Sequence, residues 1–300
     1  MRIIAIISLD SNKSQKIMSS QVFRELAGKP IITHCIETLY TLNDIELILI
    51  TGLTNIPIEL TNRKKVEFIQ DGADKIRIGA FDNYDAILLI NGFFPLLSEK
   101  TIKLLINSIL HKKLVYIDTT KLNPLNNQQW NSSKIMLINR LFPYGETYDL
   151  ENIFDSTNIY SSDVNNEYIT SIDPIDKSEI VEVVDNETWS STYAKIREII
   201  NRKHMLNGIT IVEPTTTYID IDVVIGLDTT IYPGTIISGP TKIGNNCIIG
   251  PKAVIHNSKI ESDCIIRSAV IEDCYISRKS IIDSNIHLNG QSITPDSQFF

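Results

Sequence analysis

The chain has only four cysteines in 300 residues, and none stands in a C-x-x-C pair or at metal-ligand spacing. Cys35, Cys247, Cys264 and Cys274 therefore read as free, buried thiols of a reducing compartment, with no disulfide framework, metal site or cysteine nucleophile expected. Positive charge is also short. The 28 Lys and Arg face 36 Asp and Glu, for a net charge of -8, which argues against nucleic acid or an anionic membrane as partner. No apolar run reaches the length that spans a bilayer, and the start, Met1-Arg-Ile-Ile-Ala-Ile-Ile, turns polar too soon for a signal peptide. The expectation is a soluble, cytoplasmic protein without membrane insertion. No Ser–His–Asp pattern and no glycine-rich phosphate loop can be found. His34, His111, His204, His256 and His287 all have plain structural explanations, the last two as surface residues.

What is present begins with isoleucine. Ile219, Ile225, Ile231, Ile237, Ile243, Ile249 and Ile255 fall on one six-residue grid, the signature of a hexapeptide-repeat parallel β-helix in which every sixth side chain points inward. The stiff, branched side chain suits a narrow pleated interior. Gly226, Gly244 and Gly250 follow an inward residue and are expected at corners that favour the absence of a Cβ. Beyond Ile255 the spacing alternates between five and six, through Ile260, Ile266, Ile271, Ile276 and Ile282, so the coil continues with shortened sides for about four turns in all. Its upstream end is expected to lie under the preceding helix. The downstream end needs closing by Ile293 to Phe300 or by another chain, with Phe299 and Phe300 as the candidate plug; a disordered tail is the alternative.

Composition at 43% hydrophobic allows two domains with real cores. In the first, Ile3 to Ile7, Leu47 to Ile50 and Ala86 to Ile90 are unbroken apolar runs, as strands buried on both faces of a parallel sheet should be; Leu114 to Ile117 and Ile135 to Ile138 are further strands. Helices are expected from about Pro30 to Tyr40, with Ile32, Cys35, Ile36 and Leu39 as the apolar stripe, and over Thr101 to Leu110. The alternation implies an open, doubly wound α/β sheet of Rossmann-like type, whose ligands bind at the carboxyl ends of the strands. Ser8 to Gln21 and Asn91 to Pro95 are thus the segments of interest. A third helix is expected over Asn186 to Leu206, with Trp189, Tyr193, Ile196, Ile200 and Leu206 on its apolar side and Asn207-Gly208 ending it. The expected domains are 1–185, a linker helix at 186–208, and the coil at 209–300.

Residues 203 to 220, Lys-His-Met-Leu-Asn-Gly-Ile-Thr-Ile-Val-Glu-Pro-Thr-Thr-Thr-Tyr-Ile-Asp, resemble the domain junction of the bacterial bifunctional N-acetylglucosamine-1-phosphate uridyltransferase / glucosamine-1-phosphate acetyltransferase family. The likeness continues through Ile-Tyr-Pro-Gly-Thr-Ile (231–236) and Val-Ile-Glu-Asp-Cys (270–274). In the first domain it is carried by Leu-Ala-Gly-Lys-Pro-Ile-Ile-Thr-His (26–34), Asn-Gly-x-x-Pro-Leu-Leu (91–97) and Asn-Asn-Glu-Tyr (165–168). The resemblance implies a nucleotidyltransferase-like α/β domain followed by a left-handed parallel β-helix. It also implies uridyl transfer to a sugar phosphate in the first domain, acetyl transfer in the coil, and three chains packed through the coil.

Carrying the family's site across residue by residue, anchored on Gly28-Lys29-Pro30, gives losses. The phosphate turn runs past Leu9, with its glycines falling on Asp10 and Asn12 and its arginine on Ser14; the following lysine falls on Gln21. The magnesium-binding Asp falls on Phe93 and the Asn near Val184. Phenylalanine cannot coordinate a cation, and an aspartate repels a triphosphate. Lys13 and Lys16 read as solvated loop lysines rather than substitutes. Gln70-Asp-Gly-Ala-Asp stands where the uracil-reading block should begin, and the family's acetyltransferase histidine has no counterpart in these residues.

The expectation is a non-catalytic relative that serves as a binding, scaffold or regulatory subunit in nucleotide-sugar or cell-envelope polysaccharide metabolism. It would need neither cofactor nor metal, and Leu9, Asp10, Asn12, Ser14, Gln21 and Phe93 would be a vestigial nucleotide site. It would self-associate as a homotrimer or mixed oligomer, with a nucleotide sugar as possible ligand. Two alternatives stand: an active sugar-phosphate nucleotidyltransferase with substitute residues and Mg²⁺, and an acyltransferase using a neighbouring subunit's coil.

Overall fold

A computed structural model describes residues 1–8, 24–52, 64–69, 81, 83–91, 94–112, 114–117, 135–139, 169–183, 185–283 and 285–300. The chain divides into two compact units, Met1–Arg24 with Pro30–Trp189, and Glu25–Lys29 with Ser190–Phe300.

In the first unit, β1 (Ile3–Ser8) is buried along its whole length and pairs in parallel with β4 (Ile45–Thr51) on one side and β6 (Ala86–Asn91) on the other. With β5 (Val66–Ile69), β7 (Leu114–Ile117), β8 (Ile135–Asn139) and β9 (Ile169–Ile172), the described residues form a seven-stranded sheet of order β5-β4-β1-β6-β8-β7-β9. The sheet is mixed rather than fully parallel, because β8 runs antiparallel to both neighbours. Ile4, Ile6, Leu49, Ile87, Leu89, Leu114, Met136 and Ile138 make one continuous apolar cluster on one of its faces. Helix α1 (Ile31–Tyr40) buries Ile31, Ile32, Cys35, Ile36 and Leu39 and packs on β4; Pro30 caps it from outside the first turn. Helix α2 (Glu99–Ser108) begins two residues before the pattern of apolar positions suggests, because the Ser98 hydroxyl accepts the Thr101 N–H at 3.2 Å and caps it there. Leu110 lies beyond its end and is exposed.

Helix α3 (Asn186–Leu206) crosses from one unit to the other. Its buried side follows Thr192, Ile196, Ile200 and His204, an i, i+4 series that leaves Leu206 facing solvent, contrary to the apolar stripe read from sequence. Asn201 is buried in that series because its amide donates to the carbonyls of Pro214 and Thr217, at 2.9 and 3.0 Å, tying the helix to the start of the coil.

The second unit is the left-handed parallel β-helix. Its three faces hold six strands (Thr210–Ile211 to Gln298–Phe299), five (Tyr218–Ile219 to His287–Asn289) and five (Val224–Ile225 to Ser292–Ile293). The first face thus starts one strand before the isoleucine grid. Every isoleucine of the grid is buried and registers directly on the one a turn away, as in Ile231↔Ile249↔Ile266↔Ile282. A second buried ladder of small residues lies two positions before the isoleucines. Thr229, Cys247, Cys264 and Ser280 form one column of it, and each bonds a backbone carbonyl: Thr229 Oγ1 donates to Gly244 at 2.8 Å and Cys247 Sγ to Glu261 at 3.2 Å. The coil cysteines are thus free thiols in a position that wants a small side chain with one hydrogen-bond donor.

The glycines were expected at corners, and the reason differs by position. Gly250 has φ +95°, but Gly244 does not lie in the left-handed region; a Cβ there would stand 2.6 Å from the Ser262 nitrogen of the next turn. One column of left-handed corners carries Asp228, Asn246, Asp263, Lys279 and Asp296, and others carry Lys252, Asn257, Ser268, Asp273 and Asn285, so most of these corners are held by residues other than glycine. At the last turn Phe299 continues the ladder on Ile282 as an ordinary strand residue, while Phe300 is 81% exposed, so the pair does not fold back as a plug.

Candidate functional site

Parallel strands of an open α/β sheet present their carboxyl ends at one edge, where ligands bind. Here β1, β4 and β6 end in register, Ser8 opposite Thr51 and Ser8 opposite Asn91. The strand order reverses across β1, since the chain goes from β1 out to β4 and β5 and then returns to β6 on the other side. The crevice between the ends of β1 and β6 is therefore the expected ligand position, and the segments leaving it follow Ser8 and Asn91. Ser8 and Thr51 are buried at this edge, and the Thr51 hydroxyl has no hydrogen-bond partner among the described residues.

Leu9, Asp10, Asn12, Ser14, Gln21 and Phe93 all lie outside the described residues, as do Lys13, Lys16, Gln70 and Val184. The structure thus describes the strand ends Ser8 and Asn91 and not the side chains expected to form a site after them. Among the described residues no group of three His, Cys, Asp or Glu could hold a metal ion.

The segment that anchors the site's numbering is described. Leu26-Ala27-Gly28-Lys29 forms a tight hairpin between β2 (Glu25–Leu26) and β3 (Lys29–Pro30), with Ala27 at φ 50° and Gly28 at φ 81°. A Cβ on Gly28 would meet the Asp220 carboxylate at 2.7 Å, Ile221 N–H donates to Ala27, and Lys29 Nζ reaches Asp222 Oδ1 at 2.8 Å. This part of the family-like motif therefore packs on the coil's first turn. Burial pushes the Asp220 carboxyl above its ordinary value, while the Gly239 N–H, at 3.0 Å, opposes the shift.

Two histidines acquire partners through coil register that their sequence neighbours do not show. Ser238 Oγ lies 3.0 Å from His256 Nδ1, and His287 Nε2 lies 3.1 Å from Glu272; both histidines are exposed, as expected of coil surface residues. His34 and His204 are buried on helices.

Residues 222–257 and 240–272 match the family described as Bacterial transferase hexapeptide (six repeats). Over 290 residues the chain is 26% identical to the Bifunctional protein GlmU of Geobacillus sp. (strain WCH70), an alignment covering 83% of this chain and 63% of that protein. The Bifunctional protein GlmU of Clostridium beijerinckii is 27% identical over 81% of this chain and 63% of its own length. A 74-residue stretch, 25% of this chain, is 49% identical to 16% of the Caldanaerobacter subterraneus protein of the same name. A solved cytidylyltransferase from Leptospira borgpetersenii serovar Hardjo-bovis matches 68% of this chain and 95% of its own, at TM-score 0.42 and 11% identity. The resemblance carried by the sequence motifs thus extends over most of the chain, which spans less than two thirds of the length of these relatives.

Proposed function

We propose that this relative of the bifunctional GlmU proteins does not catalyse nucleotidyl transfer. On this reading it acts as a binding, scaffold or regulatory subunit in nucleotide-sugar and cell-envelope polysaccharide metabolism, in the cytoplasm. The observation that carries the reading is in the sequence: by the resemblance, Asp10, Asn12, Ser14, Gln21 and Phe93 stand where the family has glycines, an arginine, a lysine and the metal-binding aspartate. Nucleotidyl transfer depends on cations that neutralise the triphosphate and on a carboxylate that holds Mg²⁺. Losing one such donor costs on the order of 10²–10³ in rate. Five changes together leave the reaction without its charge stabilisation. Phe93 offers no donor atom where the family's magnesium ligand would be, so this residue set does not fit a bound Mg²⁺.

The coil supports the second half of the reading, self-association as a homotrimer or mixed oligomer. Its interior ladder is intact, and outward apolar columns run along two faces: Tyr218, Ile236, Val254 and Val270 lie in direct register on one, and Ile248, Ile265 and Ile281 on another. Tyr218 and Ile236 are 37% and 41% exposed.

The competing reading, an active nucleotidyltransferase with substitute residues, draws on the registered strand ends and the unpartnered Thr51 hydroxyl. Two measurements separate them. We expect no pyrophosphate release across a panel of nucleoside triphosphates and sugar 1-phosphates with Mg²⁺. In calorimetry, UDP-N-acetylglucosamine should bind with an affinity that chelating Mg²⁺ does not change. Pyrophosphate release above the uncatalysed rate would establish the enzyme and end the proposal.

A further inference from the structure

Two coil cysteines are nucleophilic groups that the proposed function leaves unused. Cys247 and Cys264 stand two positions before Ile249 and Ile266, which register directly, and the Ile248 N–H donates to the Cys264 carbonyl at 2.9 Å. The pair is therefore stacked on adjacent parallel strands, with both side chains on the same side and the backbones about 4.8 Å apart. A disulfide needs Cα atoms about 4.4–6.8 Å apart, so register brings these two thiols within bridging distance. Both are free and buried. Cys274 has no such neighbour: it sits in the small-residue ladder of another face, where its N–H donates to Ser258 Oγ at 3.0 Å.

The stacked pair also differs chemically from a lone buried thiol. At Cys35 burial alone acts, and it raises the thiol. At Cys247 a hydrogen bond with Cys264 outweighs burial and holds the group below the ordinary thiol value, while the same contact, then burial, pushes Cys264 up. The Cys264 S–H donates to the Ser277 carbonyl at 3.2 Å and can turn instead to a Cys247 thiolate. A route to the sulfurs lies over the same corner. Cys247 Sγ donates to the Glu261 carbonyl at 3.2 Å, and Cys264 Sγ to the Ser262 carbonyl at 3.8 Å. Glu261 and Ser262 also line a surface depression of about 450 Å³. A small polar oxidant in that depression meets the backbone that the thiols themselves bond.

We infer that Cys247 and Cys264 are a peroxide-sensitive dithiol that closes reversibly into a disulfide between successive coil turns. The thiolate is the reactive form, so Cys247 attacks and Cys264 resolves. Cys247 sulfur attacks one peroxide oxygen; the O–O bond breaks, hydroxide leaves, and the sulfur is oxidised to a sulfenic acid. Cys264 sulfur then attacks the Cys247 sulfur, the S–O bond breaks, and a second hydroxide leaves. The two thiol protons complete two waters, so two thiols and one peroxide give one disulfide and two waters. Closing the bridge draws the Cβ atoms from strand spacing towards about 3.8 Å, and that strain makes the bond readily reduced by an external thiol. No strand-end residue takes part, so the inference stands or falls independently of the proposed function.

The test treats the folded full chain with hydrogen peroxide, then alkylates the remaining thiols in denaturant and counts the labels by mass spectrometry. The untreated chain should take four labels, one per cysteine, and the treated chain two fewer. Proteolysis should release one linked pair of peptides, carrying Cys247 and Cys264, and dithiothreitol should restore all the labels. Cys35→Ser and Cys274→Ser should still form the bridge. Cys247→Ser and Cys264→Ser should not. Thr229 and Ser280 already place hydroxyls in this column, so serine suits both positions, and circular dichroism checks that each variant is folded. The inference is overturned by a full set of free thiols after peroxide, by label loss that dithiothreitol does not reverse, or by a linked peptide pair other than Cys247 with Cys264. A bridge between two copies of the chain, seen as a dimer on a non-reducing gel, would overturn it equally.

Discussion

His204 is a titratable group placed where charging it conflicts with folding. It is 8% exposed on α3, and burial first, then the neighbouring Lys203, lower its pKa below the ordinary value of 6.5. The unfolded chain therefore takes up this proton more readily than the folded one. Stability from this residue is complete above about pH 6.5 and is lost as pH falls towards the folded value. The melting temperature should accordingly drop between about pH 7.5 and about pH 5, and His204→Leu should flatten that slope. Superimposable pH profiles for the two proteins would show that His204 titrates without strain. Other residues of this kind behave as their types suggest. Burial pushes the Cys35 thiol up to about 12, which keeps it protonated and inert at neutral pH. The sequence conveyed that the cysteines are buried and free, because their spacing excluded every alternative. It could not convey why Asn201 is buried, since the carbonyls it satisfies belong to Pro214 and Thr217 on a separate element.

At the scale of elements, the coil was legible and the sheet only partly so, for one physical reason. A β-helix repeats its environment every turn, so the inward demand for a branched side chain recurs and leaves a period, even where corners shorten from six residues to five. The sheet's outer strands carry no such period. Val66–Ile69 and Ile169–Ile172 are short and only partly buried, and the reversal of β8 depends on pairing with β6 and β7 rather than on its own residues. Gly244 shows the limit within the coil itself. The sequence marks it as special, but the cause is proximity to Ser262 rather than backbone handedness. Gly244→Ala should therefore destabilise the coil by steric clash, by about 1–3 kcal/mol as for other overpacked sites, readable as a lower denaturant midpoint at unchanged slope. Exposed positions on the same turn, such as Asn246, should tolerate alanine within about 1 kcal/mol. If Gly244→Ala were neutral, the turns would have to be able to separate at that point.

For the whole molecule, two surfaces invisible in the linear sequence emerge from coil register. Lys242, Lys259 and Arg278 are 17 and 19 residues apart, yet the coil places all three around one surface depression. Tyr218, Ile236, Val254 and Val270 are likewise separated by a full turn each, yet make one apolar column along the axis. The proposed vestigial nucleotide site is the converse case. Its losses at Ser14, Gln21 and Phe93 were read by position against a family pattern, while the structure describes only the strand ends beneath them. On the proposed reading, the column of Tyr218, Ile236, Val254 and Val270 is where copies of the chain would meet. An exposed apolar strip of this length on a rigid rod is most stably covered by the same strip on other copies, and a closed ring of like chains buries all of them equally. Ile236 sits within the strip, flanked in register by Tyr218 and Val254, and its side chain points away from the coil interior, which Ile237 fills. Ile236→Asp should thus place a charge at the contact without disturbing the inner ladder. In light scattering at micromolar concentration the unmodified chain should show three times the mass of one chain, and Ile236→Asp should run as a monomer with an unchanged circular dichroism spectrum. A monomeric parent would remove the proposed assembly, and a trimer that survives Ile236→Asp would move the contact to another face of the coil.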